Sequence, residues 1–96
     1  MMVLVTYDVE TQSPQGKRRL RHVAKLCEDY GQRVQFSVFE CVLDPQLWTR
    51  LRAKLISAVD PTSDSLRFYF LGANWQSRVE HVGAKPAYNP EGPLIL

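Results

Sequence analysis

The run Val3-Leu4-Val5-Thr6-Tyr7-Asp8 places a carboxylate at the end of an apolar segment. Such a carboxylate reaches solvent or a cleft while its backbone stays fixed. Magnesium suits it, because that ion keeps several waters and often takes only one or two carboxylates plus a substrate phosphate. The metal-bound water is then a nucleophile and the metal offsets charge building on the phosphate, so the chemistry would be phosphodiester hydrolysis. One carboxylate is too few for a protein-built cage, but two copies related by a two-fold axis would suffice. The competing reading is a loop cap, with Asp8 bonding nearby backbone amides.

A second segment, Arg33-Val34-Gln35-Phe36-Ser37-Val38-Phe39-Glu40, carries a guanidinium, a hydroxyl and two aromatics. Arg33 can grip a phosphate through two parallel hydrogen bonds, or pair with Glu28 or Asp29 nearby. Tyr7 can stack on a base or pack in the sheet. Phe39 shares a strand face with Gln35 and Ser37 and suits an interface or base stacking. Ser37 has no adjacent histidine, which argues against a nucleophilic serine. Lys17, Arg18, Arg19, Arg21, His22 and Lys25 crowd into nine positions, as a phosphate-meeting field or as a solvated helix face. Cys27 and Cys41 lack zinc spacing and read as buried free thiols, while His22 and His81 have no second ligand at strand or helix spacing. Neither a P-loop nor a GxGxxG, HExxH or EF-hand spacing is present, which removes most nucleotide, protease and calcium readings.

The elements that must hold these residues follow from periodicity. Residues 2–8 form a strand rich in β-branched residues. Ser13-Pro14 offers an N-cap and a first-turn proline, and Leu20, Val23, Ala24, Cys27 and Tyr30 then line one helix face up to a stop at Gly31. Residues 33–43 read as one strand with large apolar groups on both faces, since no turn residue breaks it near Ser37. Asp44-Pro45 opens a second helix with the stripe Leu47, Leu51, Leu55, Ala58 and Val59, ended by Asp60-Pro61. Leu66 to Leu71 is an aromatic-rich strand, and Val79 to Val82 a weaker one. The pattern is α+β with a mainly antiparallel sheet and helices on one face, its topology left open.

A chain of 96 residues has room for one domain, 1–96, with a moderate core, which makes self-association an attractive source of buried area. A net charge of +2 does not mark an obligate nucleic-acid binder, so the local basic cluster says more than the total. The apolar runs are far shorter than the roughly 20 residues of a membrane span, and no basic region precedes the N-terminal run. The expectation is a cytoplasmic protein with no membrane association.

Three of these segments together carry a resemblance. Val3 to Asp8, the basic helix start Gly16-Lys17-Arg18-Arg19-Leu20-Arg21, and Gly31 to Cys41 make the chain resemble the CRISPR-associated protein two family, the small subunit of spacer acquisition in prokaryotic antiviral defence. The likeness continues through Leu66 to Leu71 and the tail. It implies a ferredoxin-like βαββαβ fold with two helices on one face of an antiparallel sheet. It also implies a homodimer packed sheet against sheet, with residues 83–96 a tail pairing with the partner and the two Asp8 side chains sharing one Mg2+ across the axis. By analogy Tyr7, Asp8, Arg33, Ser37 and Phe39 map to positions implicated in metal-dependent cleavage of RNA or DNA. Nuclease activity varies within that family. The other implied role is structural: the dimer bridges the CRISPR integrase and binds duplex DNA, with Lys17, Arg18, Arg19 and Arg21 meeting phosphates. A third reading, a ferredoxin-like regulatory or RNA-binding module, lacks its glycine-aromatic strand motif here.

Overall fold

The computed structural model describes residues 1–72 and 79–84. Its central strand, β1 (Met2–Asp8), alternates Val3, Val5 and Tyr7 toward the helices with Leu4, Thr6 and Asp8 toward the other face. The chain continues as α1 (Pro14–Tyr30), β2 (Gln32–Gln35), β3 (Val38–Val42), α2 (Pro45–Ala58), β4 (Ser65–Phe70) and β5 (Val79–Gly83). The sheet order is β2-β3-β1-β4-β5, with every neighbouring pair antiparallel. With α1 joining β1 to β2 and α2 joining β3 to β4, the first four strands form the ferredoxin-like βαββαβ plan, and β5 extends the sheet beyond β4.

Both helices start where expected. Ser13 Oγ accepts from the Gly16 amide at 3.0 Å and Asp44 Oδ1 from the Leu47 amide at 2.8 Å, each relieving an orphan donor ahead of a first-turn proline. Val23 and Cys27 are buried under α1, with Leu20, Ala24 and Tyr30 packed against the same core. In α2 the stripe holds at Leu51, Leu55, Ala58 and Val59 and differs only at its start, where Leu47 is exposed and Trp48 enters the core. Its ring meets Phe68 and Phe70 edge-on at 4.9 and 5.5 Å, an arrangement that favours the indole over the smaller leucine.

Gly31 stops α1, but not through a left-handed cap. Its backbone is extended, and a Cβ there would lie 2.4 Å from the Glu40 carbonyl oxygen and 2.5 Å from Cys41 Sγ, so glycine is needed for the close approach of β3.

The single strand expected over 33–43 is instead a hairpin, β2 and β3, that turns at Phe36-Ser37. No glycine, proline or asparagine marks this turn. Contacts from β1 and from Arg33 hold it: Tyr7 Oη donates to the Phe36 carbonyl at 3.2 Å, Arg33 Nη1 donates to the same oxygen at 3.1 Å, and the Tyr7 amide donates to the Ser37 carbonyl at 3.1 Å. Most of the proposed partner-pairing tail, residues 85–96, lies outside the described residues; Gly83 closes β5 and the Ala84 amide donates to the Asp64 carbonyl.

Candidate functional site

Asp8 ends β1 with an exposed side chain on the face of the sheet away from the helices, opposite Ser65 of β4. It borders two depressions. One, of about 270 Å3, is lined also by Thr6, Arg67 and His81; the other, of about 420 Å3, runs between α1 and the Phe36-Ser37 turn and is lined also by Arg21, Arg33 and Phe36. The carboxylate thus stands at a corner from which both faces of the strand end can be reached.

The other residues of the two motifs are brought together, but in a different role. Tyr7 points to the helix side, where its ring stacks on Phe39 at a centroid distance of 6.2 Å. The Arg33 guanidinium carbon sits 5.0 Å above the other partner of that pair, the Phe39 ring, within cation–π range. Phe39 is fully buried, which closes its ring to a base and corrects the stacking expectation. Burial, then the neighbouring Cys27 and, more weakly, Glu28, raise the Tyr7 pKa against the lowering influence of Arg33. The phenol stays neutral and acts as a hydrogen-bond donor to the turn. Arg33 takes the pairing reading, with Nη2 donating to Glu28 Oε1 at 3.4 Å, and its side chain remains 42% exposed at the rim of the larger cleft. Ser37 contributes its backbone carbonyl to this cluster.

The basic cluster divides as well. Lys17, Arg18 and Arg21 are exposed on α1, but Arg19 turns inward. Its Nε donates to Asp64 Oδ2 at 2.7 Å and its Nη2 to Oδ1 at 3.3 Å, with Glu10 3.6 Å away, so this guanidinium is committed to the fold and the phosphate-contact expectation for it is corrected. Lys25 pairs with Asp29 one helical turn on, at 3.0 Å.

Asp64 itself escaped the sequence reading. Its side chain is fully buried and accepts from the amides of Glu10 (3.0 Å) and Asp60 (2.9 Å) in addition to Arg19. Burial pushes its pKa up, but the hydrogen bonds from Arg19, Asp60 and Glu10 outweigh this and hold it below the ordinary carboxylate value. Within Thr62-Ser63-Asp64-Ser65 nothing separates it from a solvated turn residue; only its position just before a buried strand hints at burial. Arg67 and His81, cross-strand partners joined by an Arg67 Nε–His81 Nδ1 hydrogen bond of 3.3 Å, are the other residues near Asp8 that were not foreseen.

Among the described residues no group of three or more His, Cys, Asp and Glu side chains could hold a metal ion. The donor set of one chain therefore does not make a protein-built cage; a largely hydrated magnesium ion would need only one or two carboxylates. Cys27 and Cys41 are buried free thiols, and burial pushes their pKa values up to about 12 and about 11, far from thiolate reactivity at neutral pH.

The fold and the exposed aspartate define a ferredoxin-like α+β protein whose strand-end acid faces outward from the helix-free side. The family model "CRISPR associated protein Cas2" matches residues 1–79. Over its full length the chain is 66% identical to the CRISPR-associated endoribonuclease Cas2 of Chlorobaculum tepidum, covering all of that protein, and 65% identical to its namesake in Nitratidesulfovibrio vulgaris, covering 94% of it. It is 56% identical to the CRISPR-associated endonuclease Cas2 of Halalkalibacterium halodurans, with both chains covered in full. The crystal structure of Streptococcus pyogenes Cas2 at pH 6.5 superposes with a TM-score of 0.70 at 60% identity, over 86% of this chain and 100% of that one. The chain belongs to the Cas2 family of CRISPR-associated proteins. No helix among the described residues is long and apolar enough to cross a membrane.

Proposed function

We propose that this protein is a cytoplasmic CRISPR adaptation subunit that works as a homodimer, binds nucleic acid and cleaves phosphodiester bonds of RNA or DNA with one Mg2+ held between two Asp8 carboxylates. The observation that carries this reading is the placement of Asp8: an exposed carboxylate on a fixed strand end, on the one face of the sheet that no helix covers. That face presents Leu4, Val38 and Val42, the last 71% exposed, as apolar surface for a second copy. When bound, Mg2+ supplies an activated water and offsets charge on the phosphate. Asp8 would hold the ion, and Arg21, exposed beside Asp8 along the larger cleft, offers a charge-assisted donor to a phosphate. Tyr7, Arg33, Phe39 and the Ser37 carbonyl keep the adjoining turn in place.

A second reading, a non-catalytic scaffold joining duplex DNA to the CRISPR integrase, is favoured by Lys17, Arg18 and Arg21, which are exposed along α1 and could track a phosphate backbone. Cleavage of labelled RNA and duplex DNA, with and without Mg2+, by the wild type and Asp8→Ala separates the two. The nuclease reading expects Mg2+-dependent cleavage that the substitution abolishes. Cleavage that survives Asp8→Ala removes Asp8 as the ligand, and a wild type that binds duplex DNA without cutting either substrate favours the scaffold.

A further inference from the structure

α1 and α2 lie side by side on the sheet, and a groove of about 490 Å3 runs between them on their solvent side. Leu26 and Ala58, partly buried against the core, form its floor, and the exposed His22, Ala53, Lys54 and Ser57 form its edges. The groove follows the flank of α1 opposite to the one that carries Leu20, Arg21 and Ala24 beside the β2–β3 turn. It is therefore separate from Asp8 and from the helix-free face of the sheet.

The charge around this groove is one-sided. Arg18 stands one helical turn before His22, and Arg50 one turn before Lys54, so both lengthen its cationic edges. Neither arginine makes a hydrogen bond or ion pair among the described residues. α2 carries no acidic residue, and the only two on α1 are engaged: Glu28 with Arg33 at 3.4 Å and Asp29 with Lys25 at 3.0 Å. Lys54 Nζ donates to Tyr30 Oη at 2.9 Å and lies 5.3 Å from the centre of that ring, which holds the ammonium at the groove without neutralising it.

An apolar floor flanked by cations on both sides is complementary to a helix with an apolar stripe and acidic flanks, laid into the groove as a third helix. A row of phosphates has no use for the floor. A second copy of this chain has no such helix to offer, because its α1 and α2 are themselves the basic elements. We propose that the groove between α1 and α2 docks an acidic amphipathic helix of a partner protein, its apolar stripe on Leu26, Ala53 and Ala58 and its carboxylates facing Arg18, Arg50 and Lys54. A partner held there leaves the Asp8 face of the sheet open, and the proposal does not depend on the role of Asp8.

The test is the affinity, by anisotropy, of the full chain for a fluorescein-labelled synthetic helix with leucine at i, i+3, i+4 and i+7 spacing and glutamate on both flanks. The comparators are the same helix with lysine for every glutamate, a peptide of the same composition ordered without an apolar stripe, and duplex DNA. The wild type should bind the acidic amphipathic helix and neither comparator peptide. Arg50→Glu combined with Lys54→Glu should weaken that binding by about tenfold or more. Ala53→Trp, which fills the groove from an exposed position without changing its charge, should weaken the helix but not the duplex. Thermal unfolding of both variants should match the wild type, and in the 15N-labelled protein the helix should shift the amides of Leu26, Ala53 and Ser57 and leave that of Asp8 in place. The proposal is overturned if the wild type does not bind the acidic helix, if it binds the basic helix or the reordered peptide as well, or if Ala53→Trp binds the acidic helix as the wild type does. It is equally overturned if the charge reversal weakens duplex binding and leaves the helix unaffected, since the groove would then serve nucleic acid.

Discussion

Asp8 and Asp64 lie at the same end of the sheet, on the neighbouring strand ends paired through the Asp8–Ser65 register, and the fold treats them in opposite ways. Asp64 is sealed from solvent and saturated by Arg19 and two backbone amides, anchoring the loops after β1 and α2 to the start of α1. Asp8 opens on two depressions. A carboxylate enclosed by donors holds structure together, and one beside open space can meet a ligand. The same division runs through the second motif, where Tyr7 and Phe39 are consumed in fixing the turn that presents Phe36, while Arg33 helps hold the turn and stays partly exposed at the cleft rim.

This contrast can be broken by substitution. The largest effect belongs to Phe39→Ala, which removes the fully buried ring that Tyr7 and Arg33 pack against and should cost about 3–5 kcal/mol in chemical denaturation. A loss below about 1 kcal/mol would mean that Phe39 is not the keystone of the cluster. Asp64→Asn comes next, at roughly 2–3 kcal/mol, because it leaves buried donors with a weaker acceptor.

That variant also sharpens the comparison through pH. The folded-state pKa of Asp64 is depressed, so its stabilisation is fully present above the unfolded value near about 3.9 and is lost as pH falls through the folded one. The midpoint of urea unfolding, followed downward from pH 5, should fall less steeply for Asp64→Asn than for the wild type. Parallel acid limbs would deny Asp64 this role.

Smaller still is Tyr7→Phe, which deletes one of two hydrogen bonds to the Phe36 carbonyl and should cost about 1 kcal/mol while Arg33 keeps the turn. Hydrogen exchange should show faster opening confined to residues 35–38. Least of all is Asp8→Asn, an exposed site where stability should shift by no more than about 0.5 kcal/mol. Thermal unfolding checks this, and a large shift would place Asp8 with Asp64 as a structural acid.

How much of this was legible in the sequence depends on whether the cause was local. The helix caps at Ser13 and Asp44, the buried face of α1 and the buried thiols are written in nearest-neighbour chemistry, and the structure bears them out. The β2–β3 turn is not, because it has no turn-forming residue and is held from Tyr7, 29 positions away along the chain, with Arg33 adding a local contact. The inward course of Arg19 was hidden for the same reason: its partner Asp64 is 45 residues distant. Periodicity marked Asp8 as a strand end, but the division of Tyr7 and Asp8 between opposite faces acquires meaning only once the helices are seen to cover one side.

The proposed function rests on two Asp8 carboxylates acting as a pair around one ion. The number of Mn2+ ions, a spectroscopically visible substitute for Mg2+, bound per chain measures it most directly, for the wild type and Asp8→Asn in the presence of a non-cleavable oligonucleotide. The account predicts one ion per two chains, lost in the variant without loss of fold. An ion bound to each chain independently, or binding unchanged by Asp8→Asn, would contradict it.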